Sequence, residues 1–570
     1  MEPVKTQVNE SFNMQPAISP AGDIPWGVPR EPENAKKQKA NPLFPFMAVG
    51  SLIYAFFYTL FLYRNNSGIT YPFFVGGTCF FFFFYLKKCG LTAKKFTTFL
   101  TVSLVLLGIS TCMTDSWVLI FFNKLGILCL FFYMALYCLY DDKTWGLGTY
   151  FCNILNVICT CIIYIFTPFS DFSLYRKEKR TEKKKADGKG KYVLYGLLIA
   201  LPLLLVILLL LGSADAVFGN LLENIFDFSF DRNWGEHVSG TIGLFLFAFF
   251  TPYCLINRFS NHDLQENLPD KRTAEPLIAI TFTGILSFVY AVFCLIQIVY
   301  LFAGLGSLPE NYTYASYARE GFFQLVFVCL INLSMILLCK KYFRESKVLK
   351  ILLTFVCVCT YIMIASSAYR MILYISAYQL TFLRVFVLWA LLVIFLLVSG
   401  ALVLIYKDDF PLVKFYVVTI TVLYLIFSFA HPDYWIAKYN LNHTFILEYD
   451  SAEDSYYYAL DKNRDLNYLK RLSLDAAPVI YDKLSEIQIY EEGENWWLDE
   501  ADWWYKSYSS NLIYESYDYA IGYPLEDYHY PLKMSLRRFN FSRQTAYNAY
   551  TAYYDSHPMF AESVNGFLFD

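Results

Sequence analysis

Apolar residues occur along this chain in blocks of about twenty, which are separated by short polar or basic segments. A helix of about 20 apolar residues is long enough to cross the ~30 Å hydrocarbon layer of a bilayer. The blocks therefore predict transmembrane helices. The candidate spans are residues 43–63, 69–86, 97–113, 117–140, 147–166, 193–212, 238–256, 277–304, 322–339, 351–368, 382–405 and 413–430.

Composition supports the same class of protein. Hydrophobic residues make up 56% of the 570 residues and charged residues only 17%, whereas a typical soluble domain is about 25% charged. We predict an all-α fold, a polytopic membrane helix bundle with a smaller, mostly helical C-terminal domain outside the cytosol. The predicted regions are a disordered cytoplasmic tail (1–42), the transmembrane domain (43–430) with a basic cytoplasmic loop at 174–192, and an acidic, Tyr/Trp-rich extracytosolic domain (431–570).

The charge distribution predicts the orientation of the spans. Residues 176–191 carry nine basic and three acidic side chains, whereas residues 431–570 carry 23 acidic and 11 basic ones. Short loops rich in Lys and Arg usually face the cytosol. Three further basic loops, at 87–95, 340–350 and 407–414, belong on the cytosolic side by this rule, and the C-terminal domain then lies on the opposite side.

One conflict remains in this assignment. If every early segment crossed, the basic loops at 87–95 and 176–191 would fall on opposite faces. We therefore expect one early segment not to cross, either 147–166 or part of 117–140, where Asn123 and Lys124 interrupt the apolar run. Eleven or twelve spans are predicted in total.

The C-terminal region predicts a separate unit with two helices near its start. Residues 465–472 place three leucines on one stripe, and Asp475 can cap a second helix whose apolar residues recur at helical spacing. Beyond residue 490, two pairs of tryptophans about one heptad apart, Trp496, Trp497, Trp503 and Trp504, favour an amphipathic helix packed on the core or on the membrane interface.

Motifs of soluble enzymes are absent from the sequence. It contains no phosphate-binding or dinucleotide-binding glycine loop, no H-E-x-x-H, no G-x-S-x-G and no cysteine pair at metal-ligand spacing. No cofactor and no metal are therefore predicted. No folded basic domain is present to neutralise phosphates, so nucleic acid is not a predicted partner.

Polar residues that fall at the outer ends of predicted spans are the candidate site. Arg370 and Tyr374 are spaced four residues apart and share a helix face, and Tyr378 continues that face. In one interpretation these groups anchor helix ends at the interface. In the other they line an outward pocket for an anionic head group or ligand, because charge inside a membrane is costly. The candidates are Arg319, Glu320, Arg370, Tyr374, Arg384 and Asp215.

Several segments resemble a family of uncharacterised bacterial multi-pass membrane proteins, the domain of unknown function four-one-seven-three, which has a related sister family. The segments are TYASYAREGFFQL (313–325), AYRMILYISAYQLTFLRV (368–385), SADAVF (213–218), AHPD (430–433), YNL (439–441) and LSLDAAP (472–478), and together they cover about 210–480. The resemblance implies a location in the bacterial cell membrane and no known activity.

We expect a non-enzymatic membrane protein of the bacterial envelope that senses or scaffolds through its outer C-terminal domain. Exposed Tyr and Trp favour contact with a protein, peptide or glycan, and membrane lipid is the other expected partner. A transporter or lipid/anion-handling protein that uses the arginine pocket is the alternative. A membrane-embedded transferase, with Glu320 or Asp215 as a base, is the third possibility.

Overall fold

The computed structural model describes residues 41–182, 234–260, 272–299, 322–450, 455–460, 466–469, 471–488 and 536–556, with a few isolated positions between them. The first helices are α1 (Phe44–Leu62), α2 (Thr70–Lys88), α3 (Phe96–Met113), α4 (Trp117–Leu139), α5 (Leu147–Cys161) and α6 (Thr167–Glu182). The next are α7 (Trp234–Ser260), α8 (Pro276–Gln297), α9 (Phe322–Tyr342), α10 (Lys347–Tyr378), α11 (Phe382–Tyr406) and α12 (Leu412–Phe429).

The C-terminal region continues with α13 (Pro432–Thr444), the strands β1 (Phe445–Asp450) and β2 (Ser455–Leu460), and the short helix α14 (Leu466–Leu469). It ends with α15 (Ala477–Gln488) and α16 (Phe541–Ser556). Short 3₁₀ turns lie at Ile162–Phe166, Leu474–Ala476 and Leu536–Arg538.

The predicted all-α polytopic bundle is confirmed. Within the described residues, ten helical segments are long and apolar enough to cross a membrane. Nine of them are α1, α3, α4 and α7–α12, and the tenth is the continuous segment Leu147–Lys177. Helix α2 is not among these ten, and the predicted span at 193–212 lies outside the described residues apart from isolated positions.

The bundle has two apolar cores. The first lies among α1–α5 and α7 and includes Met47, Leu100, Leu104 and Met134, each at most 1% exposed. The second lies among α8–α12 and includes Val356, Cys357, Val398 and Ala401, all fully buried. Many large apolar side chains on the helices remain exposed. This is expected for helices that are surrounded by lipid rather than water.

Helix α12 joins the two halves of the bundle. Asn123 of α4 is fully buried, and its amide oxygen accepts hydrogen bonds from Tyr424 (2.8 Å) and Ser428 (3.0 Å) of α12. Ser428 also lies 2.6 Å from the hydroxyl of Ser110 on α3. The polar residue that interrupts this apolar run is therefore an interhelical hydrogen-bonding group.

The basic loops lie together at one end of the bundle, here called the basic edge (loops 89–95, 140–146, 343–346 and 407–411). Lys94 donates to the carbonyl of Tyr140 over 3.0 Å, and Lys414 lies 5.0 Å from the ring centre of Tyr137. In the second half, Lys340 bridges Glu345 (2.8 Å) and Asp408 (2.5 Å). The hydrogen bond from Lys340 is the main cause that lowers the pKa of Asp408 to about 2.

The segment 147–177 lies along this same edge. At its start, Tyr150 donates a 2.6 Å bond to Asp142 of the α4–α5 loop. In its middle, Arg258 at the end of α7 donates to Thr160 over 2.8 Å. Near its end, the ring centre of Tyr175 lies 5.1 Å from that of Phe44, at the beginning of α1. Contacts at the start, middle and end thus all join one edge, which favours the expectation that 147–166 does not cross.

The C-terminal region forms a small domain with its own core, here called the tail domain (residues 432–488 and 536–556). Ile436, Ile480 and Ala546 are fully buried in it, and the rings of Tyr481 and Tyr553 lie 5.6 Å apart. Helix α15 agrees with the second predicted helix, whereas the predicted helix at 465–472 is reduced to the single turn α14. The Trp-rich segment 496–504 lies outside the described residues.

An antiparallel hairpin interrupts the helices of the tail domain. Strands β1 and β2 pair from Phe445 with Leu460 to Asp450 with Ser455. Five of the six residues of β2, Tyr456 to Leu460, are aromatic or apolar, and aromatic residues fit a pleated surface. The six residues of β2 form too short a run to predict a strand, because the surrounding sequence has helical spacing.

We predict that the two ends of 147–177 face the same compartment. Short epitope tags would be inserted in the full-length protein after residue 143 and after residue 182, and their accessibility to antibody compared in intact cells and inverted vesicles. Both tags should be exposed in the same preparation, because the segment lies along one edge. A tag after residue 570, following the tail domain, is the control and should be exposed in the other preparation. Opposite results for 143 and 182 would mean that the segment crosses.

Candidate functional site

The tail domain packs against the end of the bundle opposite the basic edge, here called the tail edge. Three interhelical connections reach it there, 63–69, 114–116 and 379–381, and α12 leads into it directly. Each connection is hydrogen-bonded to a different part of the tail domain. The junction between the tail domain and the tail edge is the most polar buried region described here and is our candidate site.

Asp475 lies at the centre of this junction. It belongs to the 3₁₀ turn before α15, and its side chain is only 1% exposed. The Thr114 hydroxyl donates to Oδ2 over 2.6 Å, and the Asp115 backbone amide donates to Oδ1 over 2.8 Å. The Ser542 hydroxyl also donates to Oδ1. The carboxylate thus joins the α3–α4 turn to two distant parts of the tail domain, instead of capping α15 as predicted.

His431 completes the set of partners around Asp475. Its Nδ1 lies 3.1 Å from Oδ2 of Asp475, and this hydrogen bond raises the pKa of His431 above its ordinary value despite partial burial. Burial alone would raise the pKa of Asp475, but the bonds from His431, Ser542, Thr114 and the Asp115 amide together lower it. The protonated imidazole and ionised carboxylate therefore stabilise each other.

Two further carboxylates flank this pair. Asp115 is 8% exposed, and its Oδ1 accepts a 2.6 Å bond from Nε of Arg543 on α16. Asp433 on α13 is 5% exposed and accepts a 2.6 Å bond from the Ser473 hydroxyl. Burial raises the pKa of Asp433 above its ordinary value, although the Ser473 bonds oppose this. Each carboxylate at the junction has its own donors.

The segment 537–540 closes the junction over α1 and α2. The Asn65 side chain donates to the carbonyl of Arg537 over 3.0 Å, and the Ile69 amide donates to that of Phe539 over 2.8 Å. Asn540 donates 3.0 Å bonds to the carbonyls of both Ser67 and Thr114. At Gly68 the approach is so close that a Cβ would lie 2.2 Å from the Arg537 carbonyl oxygen, so this position requires glycine.

The third connection, between α10 and α11, is held from both sides. Gln379 has a φ of 63°, and its side chain donates a 2.9 Å bond to Thr444 of α13. Asn440 of α13 exchanges 2.9 Å bonds with the amide and the carbonyl of Leu380. From the bundle side, the Arg384 guanidinium donates to the carbonyls of Tyr378 and Gln379. Arg384 therefore orders the loop on which the tail domain rests.

The structure places three of the predicted site residues in this neighbourhood. The Arg384 guanidinium lies 4.3 Å from the ring centre of Tyr374, a cation–π distance. Arg370, one turn earlier on α10, is 6% exposed and donates a 3.0 Å bond to Gln297 of α8. The two guanidinium groups thus make different polar contacts, with Tyr374 between them in sequence. Asp215, Arg319 and Glu320 lie outside the described residues, so a shared anion pocket remains a prediction.

Buried polar residues inside the second half of the bundle form hydrogen bonds between helices. Gln297 accepts a 2.7 Å bond from Ser366 as well as the bond from Arg370. Asn332 of α9 accepts from Tyr290 (2.7 Å) and donates to Thr360 (3.0 Å). These bonds connect α8, α9 and α10 where no water is available.

The chemistry of the junction suits attachment rather than turnover. The Asp475 oxygens each accept at least two bonds, so the carboxylate is a poor base, and Asp115 is engaged by Arg543. Within the described part of the chain, no group of three His, Cys, Asp or Glu side chains has the geometry of a metal site. The arrangement fixes the tail domain on the transmembrane bundle through buried charges that are paired with each other.

Sequence reasoning found parts of this junction without joining them. The segments AHPD and LSLDAAP, which carry the family resemblance, contain His431, Asp433 and Asp475. Their partners lie 360 residues apart for Asp115 and Asp475, and 428 apart for Asp115 and Arg543. No local spacing encodes such a pair. Ser542 and Arg543 carried no signal at all.

We predict that Asp475→Asn loosens the tail domain. The amide presents donors where His431, Thr114 and Ser542 also donate, so docking should weaken on the order of 3 kcal/mol. Protease sensitivity of the tail domain in the full-length protein in membranes measures this. Asp482→Asn, at an exposed acid on α15, is the matched control and should change docking by less than about 0.5 kcal/mol. Equal sensitivity of the two variants would contradict the role of Asp475.

We also predict that docking has a pH optimum. The contribution of Asp475, whose pKa is lowered, is present above about pH 4 and is lost as pH falls through its folded pKa. The contribution of His431, whose pKa is raised, is present below about pH 6.5 and is lost as pH rises through its folded pKa. The raised pKa of Asp433 opposes Asp475 and makes the acid side shallower.

Protease sensitivity of the tail domain measured across this pH range should therefore pass through a minimum. The alkaline rise should disappear in His431→Gln, which cannot titrate, while the acid rise remains. An alkaline rise of unchanged size in that variant would show that another group causes it.

Comparison with known proteins identifies the family of this chain. No curated protein and no solved structure matches it. Residues 101–483, more than half of the chain, match the family described as Domain of unknown function (DUF4153). The predicted class, a membrane family of unknown function, is thereby supported, although the family that matches bears a different number from the one resembled. The segment 537–543, which completes the junction, lies beyond the matched residues. The chain therefore belongs to the DUF4153 family.

Proposed function

We propose that this protein is a non-enzymatic sensor or scaffold of the bacterial cell membrane, which acts through a tail domain held on the outer ends of its helices. The observation that carries this proposal is the buried Asp475, bonded to the α3–α4 turn, to His431 in the connection between α12 and α13, and to α16. A domain fixed in this way can report what it binds to several transmembrane helices at once.

The charge pattern supports the proposed sidedness. Lys and Arg are concentrated at the basic edge, in loops such as 87–95 and 340–350, and such loops face the cytosol. The tail domain packs on the opposite edge, which then faces the outside of the cell. A location in the cell membrane, with the tail domain extracytosolic, follows from this rule.

Backbone strain also favours coupling at the junction. Among the described residues, three that are not glycine have positive φ: Arg64 (50°), Gln379 (63°) and His431 (48°). All three lie in connections at the tail edge. Such conformations cost on the order of 1–3 kcal/mol each and persist only where contacts impose them. Release of the tail domain would relax these connections, so binding at the tail domain and helix arrangement are energetically linked.

The partner that fits this arrangement is a protein, peptide or glycan of the envelope. The tail domain leaves large apolar side chains exposed beside the junction, with Trp435 56%, Leu536 75% and Phe541 47% exposed. Aromatic side chains at an accessible surface are typical of recognition sites for such partners. Membrane lipid remains the surrounding solvent of the helices.

A transporter or lipid/anion-handling function is the second candidate, and Arg370 favours it. Arg370 is 6% exposed and bonds to Gln297 within the membrane bundle, and ionisable residues in such positions commonly mark ligand or ion sites. The third possibility, a transferase that uses Glu320 or Asp215, depends on residues outside those described.

The test is complementation of a deletion strain. We expect Asp475→Asn to fail to restore the deletion phenotype at normal membrane abundance, because its tail domain is uncoupled, whereas Asp482→Asn restores it. Arg370→Gln should restore it as well if the tail domain carries the function. Failure of Arg370→Gln with a firmly docked tail domain would favour the anion-handling alternative. Full activity of Asp475→Asn with a detached tail domain would refute the sensing proposal.

A further inference from the structure

An apolar groove runs between α1 and α2, and all of its lining residues belong to these two helices. Its volume is about 810 Å³, within the range of ~300–1,000 Å³ typical of ligand sites. Eight of its sixteen lining residues are phenylalanines, and Lys88 closes one end. We propose that this groove binds one lipid, with its hydrocarbon chain along the phenylalanines and its anionic head group on Lys88.

Glycine and aromatic packing create the groove. Phe81 lies against α1 at Gly50, where a Cβ would be 2.6 Å from its ring. The ring of Phe81 stacks on Phe46 at 5.7 Å and meets Tyr54 at 5.8 Å. At Gly77, in contrast, a Cβ would meet nothing within 4 Å. The two helices are thus held at a fixed spacing, with open space left above Gly77.

The interior of the groove suits a hydrocarbon chain. The hydroxyls of Tyr54 and Thr78, which are among its few polar groups, lie 3.4 Å apart, and Thr78 also donates to the carbonyl of Phe74 over 2.9 Å. These bonds remove the penalty for covering the polar groups with an apolar chain. Phe73 (68% exposed) and Phe80 (73% exposed) lie along the rim. They add apolar area that a chain lying in the groove would bury.

The length of the groove matches one leaflet and part of the next. It extends on α1 from Pro45 to Phe61, which at 1.5 Å per residue is about 24 Å. An extended chain of a membrane lipid therefore fits along it, with its head group at the end nearest Pro45 and Lys88. A short soluble ligand would leave most of the groove uncovered.

Positive charge at the Lys88 end of the groove favours an anionic head group. Lys88 is exposed at the basic edge, and its Nζ lies 5.7 Å from the ring centre of Phe84, which holds the side chain over the mouth of the groove. The neighbouring Lys87 adds a second exposed cation, and residues 35–114 contain no Asp or Glu. A phosphate at this end meets only positive charge from this part of the chain. An anionic phospholipid is therefore preferred over a zwitterionic one.

The experiment uses the full-length protein in nanodiscs with a photoactivatable phosphatidylglycerol, and phosphatidylcholine of the same chains as the comparison. Gly77→Leu puts a side chain into the groove, whereas Gly76→Leu puts the same side chain into open space that does not line it. We expect Gly77→Leu to abolish most crosslinking to α1 and α2, and Gly76→Leu to leave it unchanged. Lys88→Gln should lower the preference for phosphatidylglycerol about fivefold, the effect of one surface lysine.

Three results would overturn the proposal: equal crosslinking in the two glycine variants, equal preference in Lys88→Gln and the unchanged protein, or crosslinks from a probe at position 77 that map to residues 193–212. The last result would mean that the chain fills its own groove. If Gly77→Leu does not fold, as judged by the loss of a monodisperse elution profile, the Lys88→Gln comparison still decides the proposal. Because the groove is separate from the tail domain, either proposal can fail without the other.

Discussion

A single ionised carboxylate, excluded from water, determines how this molecule is put together. Moving such a group out of water costs several kcal/mol, and only a full set of donors offsets this. Asp475 receives them from a serine, a threonine, a histidine and a main-chain amide, which belong to three places in the sequence (114–115, 431 and 542). The carboxylate is satisfied only when all three places are assembled around it. The tail domain is therefore held in one position, which apolar packing alone would specify less sharply.

The same logic extends through the rest of the tail edge. The side chains of Asn65, Asn440 and Asn540 bond to main-chain groups across the junction, and Gln379 bonds to the Thr444 hydroxyl. Main-chain groups in interhelical connections need partners wherever water is excluded. The tail domain supplies those partners for three connections, and it therefore covers the ends of the helices. At the basic edge, partly exposed ion pairs such as Lys340 with Asp408 connect the interhelical loops, and such pairs contribute less to stability than buried ones with a full set of hydrogen bonds.

How far the sequence predicts this structure depends on the distance over which each feature is encoded. The spans are local, since about twenty apolar residues specify a membrane helix, and helices such as α4 and α11 lie within two residues of their predicted bounds. The position of 147–177 is less local. Its apolar run is long enough to cross, and only the partners of Tyr150, Arg258 and Phe44 place it along an edge.

Helical periodicity predicts that Asp475 caps a helix, but it carries no information on the contacts of Asp475 with Thr114 and Ser542. The strands of the tyrosine-containing hairpin in the tail domain were not predicted for the same reason. A hairpin is defined by which residues pair and not by composition alone.

The contacts of Arg537 and Asn540 with the α1–α2 connection have a consequence for biosynthesis. The groups that bond to Asn65 and Ser67 are made more than 470 residues after them. During synthesis the first hairpin of helices is inserted long before its closing partners leave the ribosome, so its turn stays hydrated at the membrane surface. The α1–α2 connection therefore reaches its final structure only after residues 537–540 have been synthesised. A chain that stops before Arg537 would contain helices α1–α12 and still lack the bonds from 537–540, so that quality-control proteases could distinguish it from a chain that includes this segment.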